Sequence, residues 1–224
     1  MRRRVLAAAE IADEPVSWPV RKREVLARGA VSDFVNDEVA TPSGASIRRQ
    51  YTAHPGAVGI IAWNADDQIA VVRQYRHPVG FQLVEPPAGL LDHGDEVFLN
   101  AARRELAEEA GLDAARWQVL VDLFTTPGAT QESLRVYLAR DLRDIGRPDD
   151  FELEGEEAEM DVCWAPRADL VDAIYAGRLQ NPTMVSGILA LEAARLGDRL
   201  ESLRPAGAPW PARVVHAEWH GERA

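Results

Sequence analysis

The sequence predicts an α+β (or α/β) fold rather than a doubly wound parallel sheet. Short segments with alternating or continuous apolar residues, which are typical of strands, fill most of the first half of the chain. Three segments with helical periodicity lie between or after further expected strands. Because strands and helices do not alternate regularly, a layered sandwich is favoured.

The first expected element is a small antiparallel meander. Apolar and polar residues alternate over 20–39 around an expected turn at 35–37, and a second turn at 41–44 precedes a strand at 47–51. So short a sheet is marginally stable alone. We therefore expect it to pack on a larger body, such as a second subunit.

A buried hairpin is expected next. Two apolar runs, 58–63 and 69–75, flank a polar turn, and a rigid Pro-rich loop follows at 85–89.

The remaining elements follow a strong helix signal. Residues 97–110 have helical periodicity, and Gly111 lies where a helix end favours positive φ. Further elements are expected as strands at 118–123, 134–139 and 161–164 and helices at 168–176 and 182–195. The Pro/Gly-rich segment 204–211 is expected to be a surface tail.

Charge and composition exclude several classes of function. A net charge of −11 disfavours nucleic-acid binding, which depends on Lys and Arg. Cys163 is the single cysteine, so a reducing compartment is favoured. Glu10 and Asp13 interrupt the N-terminal apolar stretch, and no run reaches the roughly 18 apolar residues of a membrane span. We expect a cytoplasmic protein that binds neither nucleic acid nor membrane.

The clearest chemical signal is the segment R-E-L-A-E-E-A-G-L at 104–112. Glu105, Glu108 and Glu109 stand at i, i+3 and i+4, which places them on one helix face with Cβ atoms about 5–6 Å apart. Three like charges repel, and an oxygen-rich site that relieves the repulsion suits Mg²⁺ or Mn²⁺. Taken alone, an acidic helix face is more often solvated surface.

The surrounding residues favour the metal site. With Gly89 and Glu96, the segment resembles the Nudix box, G-x5-E-x7-R-E-U-x-E-E-x-G-U with U apolar. The half from Arg104 onward matches at every specified position, and seven residues separate Glu96 from Arg104, as the pattern requires. Gly89 lies one residue early, so Leu90 occupies the glycine position; an insertion in this loop would explain the difference. The resemblance implies a Nudix α/β/α sandwich with a mixed sheet.

Flanking segments narrow the resemblance to ADP-ribose pyrophosphatases. Residues 72–80 and 85–89 look like the strand and loop that precede the box in those enzymes. Pro127, fifteen residues after Leu112, agrees with a proline that marks the group. The implied reaction is metal-dependent hydrolysis of ADP-ribose to AMP and ribose 5-phosphate.

The resemblance also implies a ligand set. Glu105, Glu109, Glu108 and the carbonyl of Ala88 would hold the metal ion, with Mg²⁺ the expected ion. Arg104 would fix the carboxylate rotamers, and the alternative is an ordinary helix ion pair.

The acidic run 152–159 resembles the family loop that carries a catalytic glutamate. Glu157 is the expected base, with Glu156 and Glu159 as competitors. The alternative is a solvated loop.

Three residues upstream of the box are expected to contact substrate. Arg73, Arg76 and Glu85 lie where the family places groups that bind the diphosphate and terminal ribose, and a guanidinium matches phosphate oxygens. The alternative for either arginine is an edge-strand charge.

Four tryptophans are candidates for stacking on an adenine. Large aromatics are more often core residues, so we expect Trp63, Trp117 and Trp164 in the core and only Trp18 outside it.

We expect three regions: an N-terminal sheet at 1–55, a Nudix domain at 56–200 and a tail at 201–224. In the family, the N-terminal sheet exchanges between subunits, which implies a homodimer. Two alternatives to ADP-ribose hydrolysis remain: hydrolysis of another nucleoside diphosphate sugar such as GDP-mannose, or a module that binds ADP-ribose without cleaving it.

Overall fold

A computed structural model describes residues 4–92, 96–148 and 160–213, which form three sheets and three α-helices. The N-terminal sheet contains β1 (Val20–Arg28), β2 (Asp33–Ala40) and β3 (Ser46–Ala53). A five-stranded sheet has the order β11 (Arg204–Pro205), β8 (Leu112–Phe124), β9 (Ser133–Asp144), β4 (Ala57–Ala62) and β7 (Ala88–Leu90). The third sheet has the order β10 (Asp161–Pro166), β5 (Gln68–Arg76) and β6 (Phe81–Glu85), and the helices are α1 (Phe98–Ala110), α2 (Arg167–Tyr175) and α3 (Pro182–Leu196).

The fold is the predicted α/β/α sandwich with a mixed sheet. Strand β4 runs parallel to β9 and antiparallel to β7, and its successive residues Ile60 and Ile61 belong to two different core clusters. One cluster includes buried residues of α1, and the other includes buried residues of α3. The five-stranded sheet therefore lies between these two helices.

The first hairpin turn differs from the prediction. The chain turns at 29–32, where the Gly29 N–H donates to the Ser32 carbonyl at 3.0 Å, whereas 35–37 lies inside β2. Asp37 is of a residue type common in turns, but here it is buried. Its carboxylate accepts hydrogen bonds from Arg23 Nε and Nη2 at 2.8 and 2.7 Å. The expected turn at 41–44 is confirmed.

The expected hairpin of β4 and β5 is present only at its turn, where the Asn64 N–H donates to the Gln68 carbonyl at 3.0 Å. The two strands belong to different sheets and are bridged between Trp63 and Ile69. Both strands are buried over most of their length. A continuous apolar run indicates cover on both faces but does not identify the neighbouring strand.

Helix α1 has the predicted limits within one residue. Gly111 adopts φ 67°, and its N–H donates to the Ala107 carbonyl at 2.9 Å, which ends the helix as expected. None of the helices that the structure describes has the length and apolarity needed to cross a bilayer.

The segment expected to be a surface tail packs into the core. We call residues 204–213 the C-terminal strap. It contains β11, which pairs with β8, and Trp210, which is 5% exposed. Arg135 is 1% exposed and donates to the carbonyls of Ala208 and Pro209 at 2.8 and 3.1 Å. The strap's backbone thus binds a buried side chain, an interaction that Pro/Gly composition cannot reveal.

Arg135 also forms a bidentate ion pair with Asp122 across β9 and β8, at 2.7 and 2.9 Å. We expect Arg135→Met to lower the free energy of unfolding by about 3 kcal/mol or more, because it removes the donor to the Ala208 and Pro209 carbonyls and leaves Arg204 as the remaining arginine partner of Asp122. Urea-induced unfolding measures the change.

The matched control is Arg143→Met. Arg143 pairs with Asp113 across the same two strands but is 70% exposed, so its loss should change stability by less than about 1 kcal/mol. Equal losses for the two variants would contradict a special role for Arg135.

Candidate functional site

The acidic face of α1 lies against the backbone of β7. Gly89 leaves the required space, since a Cβ atom there would lie 2.0 Å from the Glu105 carboxylate carbon. The N–H of Ala88 donates to Glu109 Oε2 at 2.9 Å, and Glu109 is buried. The predicted ligand positions are therefore adjacent, with main chain on one side and carboxylates on the other.

Arg104 bridges three carboxylates at the edge of this face. It donates to Glu105 at 2.7 Å, to Glu108 at 3.0 Å and to Glu96 at 3.3 Å. The expected reach to Glu108 is present, and the contact to Glu96 was not predicted. Partial burial alone lowers the pKa of Arg104, but its three glutamate partners outweigh this effect and raise the pKa above its ordinary value. Arg104 therefore stays charged.

The three glutamates of α1 and the Ala88 carbonyl are oxygen donors of the kind that suits a divalent cation. In this structure the glutamates form hydrogen bonds with Arg104 or with the backbone of β7. Across residues 4–92, 96–148 and 160–213, no three acidic, histidine or cysteine side chains converge closely enough to hold one metal ion. Arg104 contacts both Glu105 and Glu108, while Glu109 faces the backbone of β7. Carboxylates outnumber the guanidinium, and hard cations such as Mg²⁺ prefer oxygen ligands. Metal binding would require these carboxylates to exchange Arg104 for the cation.

Two of the predicted substrate contacts form a pair. Glu85 is 3% exposed and accepts Arg76 Nη2 at 2.7 Å, while Arg76 remains partly accessible. Arg73 donates to Gln82 at 3.2 Å. Residues three apart in a strand point to opposite faces. The structure therefore does not bring Arg73 and Arg76 to the same face of β5.

Pro127 and Trp18 meet at a cavity of about 1130 Å³. Its volume is slightly larger than the range of about 300–1,000 Å³ for small-molecule sites. The N-terminal segment, the N-terminal sheet, the loop after β8 and the strap all contribute to its lining, including Trp18, Arg23, Tyr51, Phe124, Pro127 and Pro211. Trp18 is 42% exposed, as expected. The described lining contains none of the carboxylates of α1.

A buried polar network supports one wall of this cavity. Tyr51 donates to Asp37 at 2.9 Å, and Arg23 pairs with the same carboxylate. Burial, together with the Asp37 hydrogen bond, raises the pKa of Tyr51 above its ordinary value. The hydroxyl therefore stays protonated. Sequence reasoning missed this network because an alternating strand does not show which polar residue faces inward.

The other tryptophans divide between core and surface. Trp117 is buried as expected, and Trp63 is partly buried. Trp164 is 44% exposed rather than in the core, and it lines a smaller cavity of about 230 Å³ beside the end of α1. Glu157, the expected base, and its competitors Glu156 and Glu159 lie outside the described residues.

The close contact at Gly89 gives a test of the metal site. We expect Gly89→Ala to weaken Mn²⁺ binding by about 10- to 100-fold, because the new methyl group displaces the Glu105 carboxylate. Isothermal titration calorimetry measures the affinity. Gly207→Ala is the control, since a Cβ atom there meets no atom within 4 Å. Unchanged Mn²⁺ affinity in the folded Gly89 variant would exclude this ligand arrangement.

Comparison with known proteins agrees with the geometry. The NUDIX domain model matches residues 53–185. An ADP-ribose pyrophosphatase of Mycobacterium tuberculosis is 43% identical over 187 residues, which cover 84% of this chain and 88% of that protein. A methanol dehydrogenase activator of Bacillus methanolicus is 36% identical over 121 residues, which cover 54% of this chain and 65% of that protein.

A solved structure shares the fold. The crystal structure of an ADP compounds hydrolase superposes with a TM-score of 0.65 at 23% identity, covering 84% of this chain and 100% of that chain. At this identity the likeness concerns the fold alone. The family model and the 43% identical relative extend through the acidic helix and its supporting strands, and this chain therefore belongs to the NUDIX family.

Proposed function

We propose that this chain is a hydrolase that cleaves the diphosphate of ADP-ribose into AMP and ribose 5-phosphate, using a divalent cation. The supporting observation is the acidic face of α1 packed on the backbone of β7. The extensive identity to the M. tuberculosis ADP-ribose pyrophosphatase supports this substrate.

The reaction adds water across the P–O–P linkage. The water oxygen bonds to one phosphorus, the bridging oxygen leaves with the other phosphate, and the water proton passes to a base. A bound cation, for which we propose Mg²⁺, would neutralise phosphate charge and acidify a coordinated water. Glu105, Glu108, Glu109 and the Ala88 carbonyl are the proposed ligands, and Glu157 is the proposed base.

Arg104 has a positioning role in this proposal. Its contact with Glu96 lies beside its contacts with Glu105 and Glu108. A cation that takes those two carboxylates leaves Glu96 as a counter-charge for the guanidinium. Arg104 can then remain bound and restrict the rotamers of the ligands.

Substrate binding is assigned to two regions. Arg76 is proposed to contact the diphosphate, with its orientation fixed by Glu85. Trp18 and Pro127, which line the large cavity, are proposed to bind the adenine. Arg73 is also proposed, from the resemblance, to contact the substrate. It lies on the face of β5 opposite to Arg76, so a ligand that binds both arginines must reach around the strand.

The first test is hydrolysis of a panel of nucleoside diphosphate sugars by purified protein. ADP-ribose should yield AMP with Mg²⁺ and none with EDTA, because the carboxylates need the cation to bind phosphate. Chromatography follows the products. Faster cleavage of GDP-mannose would change the substrate, and tight binding of intact ADP-ribose with Mg²⁺ would favour a non-catalytic module.

Carboxamide variants test the roles within the same assay. Glu109→Gln and Glu157→Gln should each lower kcat by more than about 100-fold, the scale of a lost electrostatic stabiliser or base. Glu201→Gln is the control and should retain activity, since the Glu201 side chain is 78% exposed. Full activity in Glu157→Gln with a loss in Glu156→Gln or Glu159→Gln would move the base to that neighbour.

We also propose a homodimer formed through residues 1–55. Strands β1 and β2 expose the apolar side chains of Val25, Leu26 and Phe34, which a second subunit could cover. Sedimentation equilibrium should give twice the 24.7 kDa mass of one chain. A species of one chain mass at micromolar concentration would contradict the dimer. The cytoplasm stays the predicted compartment.

A further inference from the structure

The C-terminal strap runs from β8 to the first turn of α1, with Ala208 and Trp210 buried along its path. Arg204 and Pro205 pair with β8, and Arg135 binds the carbonyls of Ala208 and Pro209. The strap then places Trp210 and Arg213 against Phe98, the first residue of α1. Its path is therefore fixed at both ends by specific contacts.

Trp210 packs on the residue that begins α1. The rings of Trp210 and Phe98 meet edge to face, with centroids 5.1 Å apart and an interplanar angle of 86°. The Arg135 guanidinium, which binds the carbonyls of the two preceding strap residues, lies 4.7 Å from the Trp210 ring centroid. Val97 precedes Phe98 and supplies no side-chain cap to the helix. Packing by Trp210 therefore supports a helix start that lacks a capping hydrogen bond.

Arg213 links the first turn of α1 to the segment that precedes β4. Its guanidinium lies 5.7 Å from the Phe98 ring and donates to the carbonyl of Pro55. Gly56 makes room, because a Cβ atom there would lie 2.5 Å from Arg213 Nη1. The Gly56 carbonyl in turn accepts the Leu91 N–H at 3.0 Å, immediately after β7. Burial lowers the pKa of Arg213.

We propose that the strap positions the catalytic machinery, with Trp210 and Arg213 as positioning residues that set the first turn of α1 against β7. Glu105, Glu108 and Glu109 lie later on α1, and Ala88 belongs to β7. A shift of the helix would therefore alter the spacing between the carboxylates and the Ala88 backbone. The effect on turnover rests on the proposed function, whereas the mechanical link does not.

The strap also contributes to the large cavity through Pro211 and Ala212. Loss of the Trp210 anchor should therefore affect substrate binding as well as turnover. Loss of Trp210 should also displace the α1 carboxylates, which are proposed to act in the chemical step. We therefore expect kcat to fall by a larger factor than KM rises.

The experiment compares full-length Trp210→Ala with Trp210→Phe and Leu191→Ala. Leu191 is fully buried in the other core cluster, with α3, and provides a loss of packing away from the strap. At a temperature where each variant is folded, Trp210→Ala should lower kcat by about 10- to 100-fold, the scale of a misplacement near 1 Å. Trp210→Phe should restore much of the loss by keeping an aromatic contact to Phe98.

Hydrogen exchange supplies a readout that needs no substrate. Amides in residues 96–110 should exchange faster in Trp210→Ala than in Leu191→Ala when the two variants have lost the same Tm. If wild-type protein cleaves no ADP-ribose, this exchange still tests the link separately from the proposed function.

Arg213→Ala is the second variant, for the case in which Trp210→Ala does not fold. It should change kcat and the exchange of 96–110 in the same direction by smaller factors. Wild-type kcat and exchange in the folded strap variants would overturn the proposal. An equal loss of kcat in Leu191→Ala would overturn it too, because a general loss of packing would then be sufficient.

Discussion

The site depends on holding like charges together on one turn of a helix. The carboxylates of α1 repel one another, and this repulsion destabilises the helix. Apolar residues of the same helix oppose this effect, because Ala101, Ala102 and Leu106 are fully buried against the sheet. Apolar packing of α1 thus stabilises an electrostatically unfavourable arrangement of its glutamates.

Two polar groups relieve part of the repulsion. Arg104 bridges carboxylates along the helix, and the Ala88 N–H binds Glu109 from the strand side. Neither contact neutralises the whole face. The remaining negative charge would favour a cation at this site, and Gly89 supplies the space in which main chain and carboxylates approach.

Local signals predicted the helices well. The limits of α1 follow from apolar periodicity and from Gly111, whose conformation depends on its immediate neighbours. The spacing of the acidic residues likewise brings them together wherever the helix packs. The opposite directions of Arg73 and Arg76 were also implicit in the two-residue period of a strand.

Non-local relations could not be inferred in this way. An apolar run does not identify its neighbour, so the sequence did not show that β4 and β5 are bridged only at their turn and otherwise belong to different sheets. Trp18 and Pro127 meet only because the N-terminal segment and the loop after β8 converge. Trp210 offered no periodic signal, since its burial depends on Arg135 and on the carbonyls that this arginine binds.

The order of synthesis gives the strap a further consequence. Arg135 binds the carbonyl of a residue 73 positions later in the chain. During translation, α1, the central strands and Arg135 therefore emerge from the ribosome before the strap, whose carbonyls accept hydrogen bonds from the Arg135 guanidinium. During that interval the nascent chain has its carboxylates but lacks the support beneath the first turn of α1. If the strap positions α1 as proposed, the site is complete only after the strap has left the ribosome and docked.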